Sequence, residues 1–415
     1  MDRLISGVIL LLCAPGLARA QTACPTPWRL EEVLRIGSTE STELVASVRD
    51  LAIGPDSALY VAQAQVPAVN VFSLDGRLLR QIGRAGRGPG DIEWSAFGLG
   101  WIGDTLWVAD LNRIQLFTAN ERVPEEVIQF YLSVPAEGSH LTPGRLLADG
   151  TVVGARRLSD MRVWSSQGDD PGLALRRISR SGEVLDTMAI MDWPDNAVEN
   201  ERNPGGWPRV HPLKEAPLPG LQEYVTALKP GGSAVVQIAR VQEGATPATF
   251  DLLKISIGGD TLLHREIEYE PLAVTGAMER RLADEYAGWA VGDYTSRRMQ
   301  LLETTLERQR SAYRRVFWVP ENHPPVRKVV AGTDGSIWLL RELRDDRVDL
   351  WEIYDSEGML EGRLEIGEGR ASTKPWYPRL ALLLVSRDEV WGATRGEYDE
   401  PYLHRYRVDR TCPGA

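Results

Sequence analysis

The chain has 415 residues, of which 43% are hydrophobic and 25% are charged, and its formal net charge is −11 at pH 7. This apolar content excludes an intrinsically disordered chain, and the negative charge without any basic run argues against a nucleic-acid partner. The length exceeds one ordinary hydrophobic core and favours a repeat array or a large barrel.

Residues 1–20 have the pattern of a secretory signal peptide. Arg3 precedes an apolar run over residues 4–14, and Ala18 and Ala20 provide the small residues expected before a cleavage site. A buried N-terminal helix is the alternative. No later stretch approaches the roughly 18 apolar residues of a membrane helix, so we expect no membrane span. The predicted location is the periplasm or the outside of the cell.

Cleavage after residue 20 would change the net charge to −12 and would remove Cys13. The cysteines that remain are Cys24 and Cys412, near the two ends of the mature chain. Two cysteines in an exported protein are more often bridged than free, which predicts a disulfide, with two free thiols as the alternative.

A polar turn followed by a β-rich run recurs six times along the chain. Asp, Ser and Gly suit the turn, and branched and aromatic residues suit the strand that follows it. Four of the six runs carry an aromatic residue. The six begin at residues 56, 104, 149, 231, 334 and 388.

A second half-repeat, a strand, a polar turn and another strand, also recurs six times. Its clearest example has Asp75 and Gly76 between two apolar runs, a strong hairpin signal. The 45 residues between Phe72 and the equivalent Phe117 match one propeller blade of about 40 to 50 residues. Six first halves that meet six second halves predict an all-β fold, a six-bladed β-propeller.

Longer intervals between repeats indicate insertions. Residues 192–221 are rich in Pro and Gly and predict an irregular loop. From about residue 275 to 315, apolar residues recur at helical spacing among charged ones, which predicts a helical insertion between blades 4 and 5.

The N-terminal segment around residues 30–37 has no first half-repeat before it. Residues 33–37 resemble residues 79–83, which end the first blade. We therefore expect this strand to complete the last blade, so that residues 21–415 form one closed domain. That closure would place Cys24 beside Cys412, where a disulfide would lock the ring.

The turn GRAGRGPGD at residues 83–91, followed by DTLWVAD at residues 104–110, resembles the exported six-bladed propellers of environmental bacteria, similar to NHL-repeat and TolB-like propellers. The resemblance covers nearly the whole mature chain. It implies the fold, and it implies almost nothing about chemistry.

The same Gly-rich turn could be read as a phosphate-binding loop. Its glycines do not follow G-x-G-x-x-G, and no Gly-Lys-Ser/Thr follows, so an inter-blade turn is the better interpretation. Ligands of such rings bind at the channel mouth. The candidate ligand-binding residues are therefore the charged side chains of this region: Arg84, Arg87, Asp91, Glu93 and Asp110.

No catalytic or metal-binding motif stands out. The five histidines, at positions 140, 211, 264, 323 and 404, have no metal-ligand spacing, and no Gly-x-Ser-x-Gly elbow occurs. A calcium site drawn from Asp104, Asp110 or Asp149 is a weak alternative to their role in turns. Aromatics at strand positions favour blade packing over a sugar-binding or peptide-binding mouth. These aromatics are Trp101, Trp107, Trp338, Trp351 and Trp391.

The sequence thus favours a monomeric, non-catalytic binding platform without a cofactor, whose partner is a protein, a peptide or a glycan. The alternative is a metal-dependent enzyme of the lactonase or lyase type that uses Ca or Zn. Only fold analogy suggests that alternative.

Overall fold

The computed structural model describes residues 28–37, 45–110, 113–118, 123–129, 141–156, 172–192, 225–227, 231–282, 284, 321–341, 348–369 and 378–410. Within these residues, 24 strands form six four-stranded antiparallel sheets. The sheets follow one another along the chain and close into a ring. This confirms the predicted six-bladed β-propeller.

Each blade is built from four strands, with the last blade taking its fourth strand from the N-terminal segment. Blade 1 holds β2 (Val48–Ile53), β3 (Leu59–Gln63), β4 (Val69–Phe72) and β5 (Leu78–Ile82). Blade 2 holds β6 (Gly98–Ile102), β7 (Thr105–Asp110), β8 (Arg113–Thr118) and β9 (Glu126–Gln129). Blade 3 holds β10 (Leu141–Leu146), β11 (Val152–Arg156), β12 (Gly172–Ile178) and β13 (Val184–Asp192).

Blade 4 holds β14 (Val225–Ala227), β15 (Ala234–Gln242), β16 (Ala248–Ser256) and β17 (Thr261–Tyr269). Blade 5 holds β18 (Val326–Ala331), β19 (Ile337–Arg341), β20 (Asp349–Tyr354) and β21 (Leu360–Ile366). Blade 6 holds β22 (Ala381–Val385), β23 (Glu389–Arg395), β24 (Pro401–Asp409) and, as its outermost strand, β1 (Arg29–Ile36).

The first strand of each blade is the innermost and borders the central channel. Among the described residues, β2 contacts β6 and β22, β6 contacts β10, and β18 contacts β14 and β22. A separate buried hydrophobic cluster lies between every two neighbouring blades. Side chains on the two faces of each radial sheet alternate between these clusters, which explains why the strands are apolar on both faces.

The recurring aromatic residue lies in the second strand of its blade and is buried. At Tyr60 and Trp338 the polar tip bonds to a residue of the preceding turn: Tyr60 Oη donates to Asp56 at 2.8 Å, and Trp338 Nε1 donates to Ser336 Oγ at 3.0 Å. A buried Tyr or Trp needs such a partner for its O–H or N–H group. The pairing explains why a polar turn and an aromatic recur together in the sequence.

The N-terminal strand β1 pairs antiparallel with β24, from Arg29 opposite Asp409 to Ile36 opposite Leu403. Just before β1, Trp28 forms a bridge with Leu364 on the outermost strand of blade 5. The N-terminal segment therefore joins blades 5 and 6 as well as completing blade 6.

Between blades 4 and 5 the structure describes a short helix, α1, over residues 276–282. The side chain of Thr275 caps it, because its Oγ1 accepts a hydrogen bond from the Met278 N–H at 3.3 Å. Beyond residue 284 the predicted helical insertion lies outside the described residues up to residue 320, as do the signal peptide, Cys24 and Cys412.

The part of the chain that the structure describes contains no helix long and apolar enough to cross a membrane.

Candidate functional site

The five residues predicted to bind a ligand lie together. Arg84 Nε donates to Asp91 Oδ1 at 2.8 Å, and Arg87 Nε donates to Glu93 Oε1 at 2.8 Å. The Glu93 N–H donates to Oδ2 of the buried Asp110 at 2.9 Å. The Gly-rich turn between β5 and β6 is thus held against the end of β7.

Two buried residues that the sequence did not single out, Arg113 and Gln115, hold this turn. The Arg113 guanidinium donates to the carbonyl oxygens of Arg87 and Asp91, both at 2.9 Å, and Gln115 Nε2 donates to the Asp91 carbonyl at 2.7 Å. The sequence did offer a signal, because both residues follow shortly after Asp110 and lie in one strand, β8.

The side chains predicted to bind a ligand mostly form hydrogen bonds with other atoms of the same turn. Hydrogen bonds from Arg84 and from the Gly88 N–H lower the pKa of the Asp91 carboxyl below its usual range. Positive φ angles of 85° at Gly83 and 82° at Gly90 account for those two glycines as turn residues. The Arg84 and Arg87 side chains are 85% and 83% exposed, so their outer surfaces are what a ligand would meet.

A cavity of about 230 Å³ lies at the other end of the β6–β7 hairpin, where the innermost strands of the ring end. Every blade contributes to its wall. One residue from each, in blade order, is Ala52, Trp101, Arg145, Gly232, Thr333 and Val385. The six polar turns of the first half-repeat follow these strands, so the repeat brings distant parts of the chain together at this end.

Three tryptophans line the cavity, Trp101, Trp107 and Trp391, and each is at most 6% exposed. Trp101 packs edge to face on Tyr60 at 4.9 Å. The Trp107 indole lies against the backbone of Gly100, where an added Cβ would be 2.9 Å from Cε2, Cζ2 and Nε1. Gly100 therefore leaves room for a flat aromatic wall.

The tryptophans predicted as blade packing are buried, and they belong to the clusters between blades. Trp338 and Trp351 pack only in such a cluster, whereas the other three also face the cavity. Both sequence interpretations therefore apply to Trp101, Trp107 and Trp391, which pack between blades and also line the cavity.

One cationic side chain lines the described wall of the cavity. Arg145 Nη1 is 3.8 Å from Asp50 Oδ2, and the Arg145 side chain is 29% exposed. Glu389 also lines the cavity, and its carboxylate accepts hydrogen bonds from Trp391 Nε1 and from Arg405 Nε, both at 2.7 Å. The cavity combines aromatic walls with a cation at one side.

The described histidines are far apart in the fold. His264 Nε2 is 3.1 Å from Asp251 in blade 4, and His404 in blade 6 bonds to Glu32 and Thr394, both at 2.7 Å. His323, just before blade 5, is 4% exposed, and burial together with the charges of Arg327 and Arg281 lowers its pKa to about 4.

Two predicted histidines, at positions 140 and 211, lie outside the described residues. Of the candidate calcium residues, Asp110 holds the Gly-rich turn and Asp149 accepts a hydrogen bond from Thr151 Oγ1 at 2.6 Å. Within the described ranges, no three His, Cys, Asp or Glu side chains are grouped closely enough to hold a metal ion.

No protein-family model and no curated protein matches this chain. The predicted likeness to NHL-repeat and TolB-like propellers therefore stays a prediction.

Three solved structures illustrate what the fold is similar to. A member of the DUF4221 family from Bacteroides vulgatus ATCC 8482 is 10% identical with a TM-score of 0.49, covering 93% of this chain and 99% of that chain. A candidate exported protein from Bacteroides fragilis NCTC 9343 is 10% identical with a TM-score of 0.45, covering 94% and 98%. The PQQ-bound aldose sugar dehydrogenase from Streptomyces coelicolor is 12% identical with a TM-score of 0.42, covering 93% and 100%. At such identities a likeness concerns the fold alone.

Proposed function

We propose that this chain is an exported, non-catalytic binding protein and that its ligand enters the cavity at the end of the channel. The observation that carries the proposal is the wall of this cavity, to which all six blades contribute. A site of this kind is held in shape by the whole closed ring. Binding to it costs little reorganisation of the protein.

The cavity sets the size and character of the ligand. About 230 Å³ is smaller than the roughly 300 to 1,000 Å³ typical of pockets for drug-sized molecules. The site therefore suits a small molecule, or a single group of a larger ligand such as one peptide side chain or one terminal sugar. The Trp101, Trp107 and Trp391 walls favour a flat apolar body.

The Gly-rich turn supplies a second proposed contact surface, at the opposite end of the β6–β7 hairpin. Its exposed Arg84 and Arg87 are suited to an acidic group of a protein partner, while Asp91, Glu93 and Asp110 keep the two arginines in place. A partner that binds there would leave the cavity open.

Four further features belong to the same proposal. The chain is exported to the periplasm or beyond the cell after removal of residues 1–20, it acts as a monomer, and a disulfide joins Cys24 to Cys412. Helix α1 begins a larger helical insertion up to about residue 315. Mass spectrometry of the unreduced protein tests the disulfide, and finding both thiols free would refute it.

The cavity is tested with a neutral aromatic probe, benzyl alcohol, whose binding is followed by ligand-observed NMR. Gly100→Ala places a methyl group against the Trp107 indole and so displaces this wall. Binding should weaken by at least about tenfold.

Gly367→Ala is the matched control, since an added Cβ there meets nothing within 4 Å. It should bind benzyl alcohol as the wild type does. Equal affinity in Gly100→Ala and the wild type, or no binding by the wild type at millimolar probe, would show that the cavity is not the site.

A further inference from the structure

We infer that the cavity selects a ligand that carries a carboxylate on an apolar, planar body, and that Arg145 is the residue that binds the carboxylate. This inference rests on the proposed function, because it assigns a ligand class to the same cavity. Arg145 lies at the end of β10 and lines the wall beside Leu146.

The Arg145 guanidinium has donors to spare. No described residue accepts a hydrogen bond from its buried Nη1, and its ionic neighbour, Asp50 Oδ2, is 3.8 Å away, beyond hydrogen-bonding distance. A guanidinium offers five N–H donors in a planar fork. The Arg145 side chain is 29% exposed, so the part of the guanidinium that is not turned to Asp50 can meet an acceptor in the cavity.

Two carboxylates, Asp50 beside Arg145 and Glu389 in the cavity wall, already have partners. Asp50 accepts from the Leu51 N–H at 3.0 Å and from the Leu99 N–H at 3.2 Å. The two oxygens of Glu389 are each bonded, one to Trp391 and one to Arg405. Both carboxylates are thus held by other donors, and Arg145 has an ionic contact with Asp50 rather than a hydrogen bond.

The charge of the wall favours a carboxylate over a phosphate group. Arg145 is the only Lys, Arg or His among the described lining residues, and the Glu389 carboxylate lies in the same wall. One arginine fork matches the two oxygens of a single carboxylate. A dianion would meet one cation and would be repelled by Glu389.

The inference is tested with two probes of the same shape, phenylacetate and the neutral phenylacetamide, titrated into the wild-type protein by calorimetry. The acid should bind at least about tenfold more tightly than the amide, and phenyl phosphate should bind more weakly than the acid. This comparison needs no variant, so it does not depend on how a substitution affects folding.

Three variants then test whether Arg145 causes the preference for the acid over the amide. Arg145→Met keeps the apolar stem and removes the charge, so the acid should lose its advantage while amide binding stays. Arg145→Lys keeps the charge without the fork and should retain part of the preference. Arg35→Met removes an exposed cation on β1, the outermost strand of blade 6, and should change nothing.

Equal binding of acid and amide by the wild type would overturn the inference, and so would a preference that survives in Arg145→Met. If the amide and benzyl alcohol still bind in either case, the cavity remains the ligand site and only the carboxylate assignment fails. Absence of binding by every probe would overturn both proposals.

Discussion

The contact between Trp28 and Gly362 gives a sharp test of how the N-terminal segment joins blades 5 and 6. The Trp28 indole is 6% exposed and lies against the backbone of Gly362 on β21. A Cβ built on Gly362 would fall 2.6 Å from Trp28 Cζ2, closer than any ordinary contact. Gly362→Ala and Trp28→Ala should therefore interact strongly in a double-mutant cycle.

The expected magnitudes follow from packing. Trp28→Ala removes a buried indole and should lower the free energy of unfolding by about 3 to 5 kcal/mol. Gly362→Ala forces extra volume into a filled site and should cost about 1 to 3 kcal/mol. Once the indole is absent the new methyl has room, so Gly362→Ala in the Trp28→Ala background should be neutral or stabilise by up to about 1 kcal/mol.

The measurement is denaturant unfolding of the wild type, the two single variants and the double variant, followed by far-UV circular dichroism with midpoints compared at equal slope. Two controls separate this contact from general effects. Val33→Ala changes an exposed position of β1, and Gly367→Ala adds a methyl in open space near β21. Each should move the free energy of unfolding by no more than about 0.5 kcal/mol.

Additive effects in the cycle would refute the reasoning, because independent sites do not couple. A Gly362→Ala variant as stable as the wild type would refute it as well. Either result would mean that Trp28 does not pack on β21 and that the N-terminal segment does not bridge the two blades.

Two further predictions concern the Gly-rich turn and the pH dependence of stability. Arg113→Met removes the guanidinium that holds the turn and leaves the Asp110 carboxylate buried, so it should cost about 3 to 5 kcal/mol and speed proteolysis of the turn. Arg84→Met, at an exposed ion pair, should leave the free energy of unfolding nearly unchanged. The pKa of His323 is lowered to about 4 from 6.5, so this residue is neutral above pH 6.5 in both the folded and the unfolded state. As the pH falls below 6.5, only the unfolded chain takes up the proton. The folded state therefore loses stability. Lowering the pH from 7 to 5 should cost the wild type about 2 kcal/mol through this residue. His323→Leu should lose correspondingly less across the same interval, and an identical pH dependence in the two proteins would contradict this role of His323.

The parts of the fold that could be predicted carry local signals. Asp75 and Gly76 form a hairpin turn in the sequence as in the structure, and Tyr60 and Trp338 mark second strands because their polar tips need the preceding turn. The innermost strands were not recognised individually. Second strands are marked by a preceding turn and an aromatic residue, and an innermost strand such as β10, which contains Pro143 and Gly144, has neither. The pairing of β10 with β11 is also irregular at these residues.

The candidate site was harder to predict, because its residues are distant in sequence. Ala52, Arg145 and Val385 meet only when the ring closes. Their common feature was visible, since each lies within four residues of a polar turn of the repeat. The side chains that stood out as charges, Arg84 and Arg87, instead pair within their own turn, and no sequence pattern distinguishes an arginine with a bonded partner from one without.

The pairing of β1 with β24 also determines when the ring can be completed. β1 is synthesised before all the other strands, yet its partner is the last strand to be made, so blade 6 cannot form until nearly the whole chain has been delivered. Until then the edges of β1 and of the growing array stay open to pairing with other chains. Closure is thus a single late event, and a chain cut short before β24 would be left with unpaired edges that quality-control proteases and chaperones can recognise.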